Sequence, residues 1–391
     1  MSDLRTSVGR AELMAIYRDG LLDDTLPFWI DRCVDRQHGG FMMALDRDGT
    51  LVDTDKGVWQ QCRFTWLLGE LYNRVEPRGE WLELAQHGID FIQAHCFDPD
   101  DGRMWFHLTR EGQPIRKRRY AYSESFAAIA FGELAKATGR DDYAAKAEST
   151  FQRFVDHNLN PQGVQPKFTS VRPTRGIGFP MITIATAQQL RDSIQLDSAN
   201  DWIDRSIDAI ASFHCKNDLQ CVMETVGVDG QVLDHFDGRT LNPGHAIEGA
   251  WFVMTEGEHR GDPSLIDLGC RMLDWMWQRG WDCEHGGMLY FVDLHGGAVQ
   301  EYWHDMKFWW PHNETIIATL LAYQLTGNEK YAAWHRQVHD WAYKFFPDTQ
   351  YGEWFGYLHR DGSRSSTLKG NLWKGPFHLP RMQLECWQRL Q

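Results

Sequence analysis

Three stretches set a histidine just inside a helix start, behind a proline or glycine. They are "NPGHAIEGAWF" (Asn242 to Phe252), "FWWPHNETIIATLL" (Phe308 to Leu321) and "WKGPFHLPRMQLEC" (Trp373 to Cys386). In the first, Asn242 suits the N-cap and Pro243 the first helical position, which leaves His245 and Glu248 on one face. A carboxylate so placed can orient and charge-tune an imidazole, and this poises a base near neutral pH. The second stretch adds His312 and Glu314, the third His378 and Arg381.

Three chemistries use such a set. Histidine and carboxylate three residues apart can ligate iron or zinc, although these residues form neither H-E-x-x-H nor E-x-x-H. Glu248 and Glu314 would serve as opposed carboxylates for glycoside hydrolysis, but that leaves the histidines idle. Proton abstraction beside a carbonyl employs the whole set: one histidine removes the proton, another returns one, and Arg63 stabilises the enediolate oxygen. The expectation is therefore acid–base chemistry with no metal and no cofactor. No phosphate-binding loop or dinucleotide fingerprint occurs, so nucleotide-dependent redox or phosphoryl transfer is not indicated.

These residues need elements to bring them together, and the chain carries a hidden repeat. "DRQHGGFMMALDRDG" (from Asp35) and "DCEHGGMLYFVDLHG" (from Asp282) share D-x-x-H-G-G, an alternating apolar run and an acidic-Gly turn. Weaker copies start at Asp98, Asn160, Asp218 and Asp348, so the starts lie 58 to 66 residues apart. Alternation with a closing glycine predicts short hairpin-like loops, in which His38 and His285 stabilise the turns. Between the loops lie paired helical patterns, two of them hinged at Thr138-Gly139 and Thr326-Gly327, where glycine ends the first helix. The N-terminal helix (Arg10 to Cys33) and the C-terminal helix (Pro376 to Arg389) supply the last pair. One helix of each pair is apolar and the other charged, which sorts them into inner and outer shells. Six helical hairpins closing on themselves make an all-α (α/α)6 barrel, a single catalytic domain spanning residues 1–391. An open solenoid would need polar caps, and "FHLPRMQLECW" is not one. In a closed ring the inner helices run parallel and their starts share one mouth. Arg63, Tyr122, Thr183, His245, Glu248, His312, Glu314, His378 and Arg381 then line a common pocket that the helix dipoles bias towards anionic groups.

Composition narrows the partners. The chain has 391 residues and a net charge of −14, which argues against nucleic acid or an anionic membrane surface. No apolar run is long enough for a membrane span, and the first twenty residues lack the basic-then-apolar layout of a secretory leader, so a cytoplasmic location is expected. Eight scattered cysteines form no C-x-x-C pair and read as reduced core residues. The 18 tryptophans suit either a carbohydrate-binding wall or a large core. Of the run Phe308-Trp309-Trp310, Trp310 is placed near the rim, where it would touch substrate.

"HGGF", "VWQQCRFTW", "NPGHAIEGAWF", "MKFWWPHNE", "YGEWFGYL" and "KGPFHLPR" together resemble the N-acylglucosamine 2-epimerase family, nearly end to end. The resemblance implies an (α/α)6 barrel that moves a proton at C2 of a ring-opened sugar, GlcNAc and ManNAc being the expected pair. It implies His245 and His378 as the acid/base pair and Arg63 as the holder of substrate oxygens. Glu248 and Glu314 would support the histidines or assist ring opening, and Tyr122, His312, Trp310, Thr183 and Arg381 would bind substrate. A neighbouring branch of aldose–ketose isomerases and cellobiose 2-epimerases carries a histidine in the third inner helix. Here that place reads "FPMIT", with Thr183, which favours the acylglucosamine branch. A mannose–fructose type isomerase and a non-catalytic sugar- or protein-binding module are the alternatives. Nucleotide activation stays open, as does a homodimer formed through outer helices or long loops.

Overall fold

Glycines stop helices where the chain must turn back: Gly139, Gly261 and Gly327 adopt φ values of 69°, 64° and 65°, a left-handed conformation open to glycine. In the computed structural model, which describes residues 3–161 and 168–391, the helices run in order. They are α1 (Ser7–Asp19), α2 (Leu26–Cys33), α3 (Val58–Arg74), α4 (Gly79–His95), α5 (Tyr122–Thr138), α6 (Asp141–Leu159), α7 (Gly178–Ile194), α8 (Ala199–Ala209), the single-turn α9 (Phe236–Arg239), α10 (Pro243–Arg260), α11 (Pro263–Gly280), α12 (Trp309–Thr326), α13 (Glu329–Phe345) and α14 (His378–Arg389). A π-helical turn, Gly20–Thr25, joins α1 to α2. The N-terminal helix therefore starts earlier than expected, capped by the Thr6 side chain.

Burial separates two shells. In α12 every residue from Trp309 to Ala322 is buried, whereas α13 buries only one face. The inner ring is α3, α5, α7, α10, α12 and α14, each against the next. It closes between α14 and α3: Arg74 donates to Glu385 at 2.7 Å, and Gln388 donates to the Arg74 carbonyl. The outer shell closes too, because the Tyr17 hydroxyl of α1 lies 3.0 Å from both His335 and His339 of α13. The architecture is the (α/α)6 barrel. Among the described residues no helix is long and apolar enough to cross a membrane.

The loops gather at one end. Four of the segments leading into inner helices pair antiparallel with a loop further along the chain: Lys56–Gly57 with His107–Leu108, Thr174–Gly176 with Thr225–Gly227, Thr240–Leu241 with Val292–Asp293, and Lys307–Phe308 with Tyr357–Leu358. The last segment returns to the first loop, where the Lys369 and Gly370 N–H groups donate to the Leu45 carbonyl. The weak repeat copy starting at Asn160 falls largely on residues outside those described.

The turn-stabilising residue of the D-x-x-H-G-G loops is the aspartate, a correction to the reading of His38 and His285. Asp35 accepts from the Gln37 and His38 N–H groups, and Asp282 from those of Glu284 and His285. The second carboxylate oxygen takes a buried lysine, Lys56 or Lys307, at 3.0 Å in each case. An arginine from the following loop closes on it, Arg110 on Asp35 and Arg360 on Asp282. Asp348 repeats the device with Lys369 and with Arg47, which comes from the first loop and so ties the two ends of the ring. Burial acts to raise the Asp282 pKa but Arg360 and Lys307 outweigh it, so the carboxyl sits well below its ordinary range. Its stabilisation is complete above the unfolded carboxyl value of about 4 and is lost as pH falls towards the folded one. Asp282→Ala strands the fully buried Lys307 without its counter-ion. It should cost about 3–5 kcal/mol in denaturant unfolding at neutral pH, a deficit that narrows in acid.

Candidate active site

The start of α10 is built tightly. The Asn242 side chain accepts from the His245 N–H at 3.2 Å, with Pro243 in the first turn. Gly244 has to be glycine, since a Cβ there would lie 2.6 Å from the Trp310 ring. These constraints set the His245 imidazole at the cavity wall with a third of its side chain exposed. Its Nδ1 lies 3.0 and 3.1 Å from the two carboxylate oxygens of Glu224. Burial alone would depress the His245 pKa, but the Glu224 charge and hydrogen bond override it and raise the value above the ordinary one.

His378, in the first turn of α14, meets the opposite environment. Its Nδ1 is 2.7 Å from Glu314 Oε1, an acceptor-only partner that fixes the proton on Nδ1 and leaves Nε2 as the basic nitrogen. Burial pushes its pKa well down; Glu248 opposes this, while the charges of Arg381 and Arg63 reinforce it. His378 is neutral where His245 is held towards imidazolium. Trp310, on the helix between theirs in the ring, has its ring centroid 5.1 Å from that of His245 and 5.7 Å from that of His378.

Glu314 supports His378, as expected of it, whereas Glu248 plays a part different from the one read from spacing. Glu248 pairs with Arg381 rather than orienting His245. Glu314 is fully buried behind the wall, accepting from Trp251 Nε1 at 2.8 Å and from Arg381 at 2.7 Å. Glu248, Glu314 and His378 offer ligand atoms within 4.8 Å of one another, a spacing a cation could use. A guanidinium nitrogen of Arg381 already bonds to both carboxylates there.

Arg63 forms no such ion pair among the described residues. Its guanidinium lies 4.1 Å from the Phe126 ring centroid, 4.5 Å from that of Phe377 and 5.3 Å from that of Trp59. Burial lowers its pKa to about 9, with Glu248 opposing and Arg381 adding to the fall. Its Nε has no hydrogen-bond partner among the described residues. A buried cation with an unsatisfied donor at a cavity wall is primed for a developing oxyanion.

The cavity encloses about 1290 Å³ and runs the length of the bore. His245, His378, Arg63, Glu248, Arg381, Tyr122 and Trp310 all line it, and so do Phe308 and Trp309. Beneath the histidines lie Phe126, Ile129, Met181 and Ile182, then charged groups such as Glu70 and Arg74 at the far end. Two expected substrate contacts are not there. Thr183 is fully buried, its hydroxyl bonded back to the Phe179 carbonyl, so α7 offers the cavity an apolar face instead. His312 points away: Nδ1 bonds to the Phe308 carbonyl, Nε2 accepts the Met288 N–H at 2.9 Å, and the ring stacks on Trp341. Burial pushes its pKa down to about 3. His312 anchors a loop, as Gln61 does for the Phe41 N–H and Glu124 for the Met104 N–H.

A toroid of parallel helices that brings two imidazoles and an arginine, unpaired among the described residues, to one cavity fits a carbohydrate isomerase. The family profile described as N-acylglucosamine 2-epimerase (GlcNAc 2-epimerase) matches residues 39–378. The N-acylglucosamine 2-epimerase of Mus musculus is 34% identical over 380 residues, covering 94% of this chain and 90% of that one. Among solved structures, cellobiose 2-epimerase from Bacillus thermoamylovorans B4167 superposes with a TM-score of 0.85 at 18% identity, covering 97% and 100% of the two chains. A D-mannose isomerase does so with 0.81 at 19%, covering 97% of each. At these identities the two structures speak for the fold. The chain belongs to the N-acylglucosamine 2-epimerase family, and is a sugar 2-epimerase.

Glu224 was missed because it sits in a loop, in "CVMETVGV"; its only sequence signal is a lone acid interrupting an apolar run. Glu224→Gln removes the charge that raises the His245 pKa. If His245 must be protonated to act, the alkaline limb of kcat/KM should move to lower pH, read from a pH–rate profile of C2 inversion.

Proposed function

We propose that the enzyme interconverts N-acylhexosamines epimeric at C2, of the GlcNAc/ManNAc type, by deprotonation and reprotonation on opposite faces. The observation that carries this reading is the pairing of a neutral imidazole, His378 on Glu314, with an imidazole held towards its charged form, His245 on Glu224, in one cavity. In the open-chain sugar the C2–H bond breaks, and its proton passes to Nε2 of His378. The electron pair delocalises onto O1, giving an enediolate-type anion whose charge faces Arg63. His245 then delivers its proton to the other face of C2, and the carbonyl at C1 re-forms. Arg381 keeps Glu248 and Glu314 neutralised, and through Glu314 it positions His378. Tyr122 and Trp310 would bind the sugar. No group outside the chain enters these steps, and the six hairpins act as one catalytic unit.

The C2 substituent supports an acylamino sugar. The walls that α5 and α7 present below the histidines, Phe126, Ile129, Met181 and Ile182, are apolar and suit an acyl group better than a hydroxyl. An acylamino group at C2 also blocks the ketose outcome, since that outcome needs a C2 hydroxyl to become the carbonyl.

Incubation of GlcNAc or ManNAc in D2O should place one deuterium at C2 of the inverted product, followed by NMR. His378→Ala and His245→Ala should each cut inversion by about 10²–10⁴-fold. His245→Ala should still exchange the C2 proton of one epimer without inverting it. Failure of any N-acylhexosamine to exchange at C2 would reject the reading.

A further inference from the structure

The chain is acidic, yet "RKRRY" sets four consecutive cations, Arg116 to Arg119, directly before Tyr120, a residue of the cavity wall. Lys117 is accounted for, held by Asp98 and Asp101. Arg116, Arg118 and Arg119 form no ion pair among the described residues, and Arg118 is only part-exposed. Its guanidinium is 4.7 Å from the Tyr120 ring centroid, 4.8 Å from that of Phe106 and 5.5 Å from that of Trp373. Arg116 also covers Phe106, at 4.7 Å. Tyr120 and Trp373 line the cavity, so Arg118 stands one ring away from it. Burial and the neighbouring charge of Arg116 lower the Arg118 pKa, and no carboxylate offsets them. Contacts with ring faces hold the guanidinium but leave its in-plane N–H fork free for a bidentate oxyanion. In a chain of net charge −14, a local positive rim opposes the overall field and focuses anions on this one opening.

We infer that the Arg116–Arg118–Arg119 rim, with Tyr120 and Trp373, is an oxyanion-binding subsite, and that it takes a phosphate-type group carried on the sugar at the end remote from C2. The inference rests on the epimerase reading only for the sugar's orientation: with C2 between His245 and His378, the remote end of the chain faces the mouth. The same chemistry would accept a separate oxyanion, and the test tells the two apart.

Isothermal titration of the intact protein with N-acetylglucosamine 6-phosphate, N-acetylglucosamine and inorganic phosphate reads the subsite without turnover. The phosphorylated sugar should bind about tenfold more tightly than the neutral one, the scale of one charge-assisted contact. Arg118→Gln and the double variant Arg116→Gln/Arg119→Gln should each close that gap. Phosphate binding that weakens about tenfold in both variants, without an advantage for the phosphorylated sugar, would assign the subsite to a separate anion. Equal affinity for the two sugars together with no measurable phosphate binding overturns the inference. C2 exchange is followed alongside. Exchange of the neutral sugar with no anion effect sinks only the subsite, whereas an Arg118-dependent anion effect with no exchange of any sugar sinks the epimerase reading and keeps the subsite.

Discussion

Arg381 brings one guanidinium nitrogen to two buried carboxylates, so that α14, α10 and α12 meet at a single donor. Much of the site follows from that contact. Two carboxylates so close beside a sugar pocket would repel one another, and Arg381 between them offsets that repulsion and holds both in place. Glu314 is thereby fixed as the acceptor for His378, and its other oxygen is taken by Trp251. The tautomer of His378, and hence which nitrogen faces the sugar, is set two bonds away from the chemistry. Arg63 completes the balance. That it forms no ion pair among the described residues is tolerable because aromatic faces surround it, and in the proposed reaction the enediolate would supply the anion.

The ring of loops imposes the second constraint. Asp35, Asp282 and Asp348 are each locked by a lysine from the segment entering the next inner helix and by an arginine from another loop. The helix starts are therefore spaced by ion pairs as well as by core packing. The tryptophans divide between the two tasks, with Trp29 and Trp354 in the core and Trp59, Trp310 and Trp373 around the cavity.

The barrel was legible because its repeat is: helix-stopping glycines, two D-x-x-H-G-G phrases and four weaker copies mark the six units. That His245, His378 and Arg63 reach the cavity was legible from polar residues set at apolar helix starts. What spacing does not reveal is direction around a helix. His312 opens α12 much as His245 opens α10, yet one faces a loop backbone and the other the bore. The telling comparison is Gln61, which holds the Phe41 loop from the corresponding place on α3. Glu248 looked like the partner of His245 because they share a helix, but the true partner, Glu224, arrives from a loop 21 residues upstream. A contact made across elements leaves no periodicity to read.

The closing contacts between α14 and α3, and between Arg47 and Asp348, mean that this stack of hairpins has no terminal unit. An open superhelix frays from its ends, and its outermost repeats can melt while the centre persists. Here each hairpin is flanked on both sides, so no end is available for unravelling to begin. Loosening any one hairpin also opens the cavity wall to which it contributes, which couples loss of structure anywhere round the toroid to loss of the site.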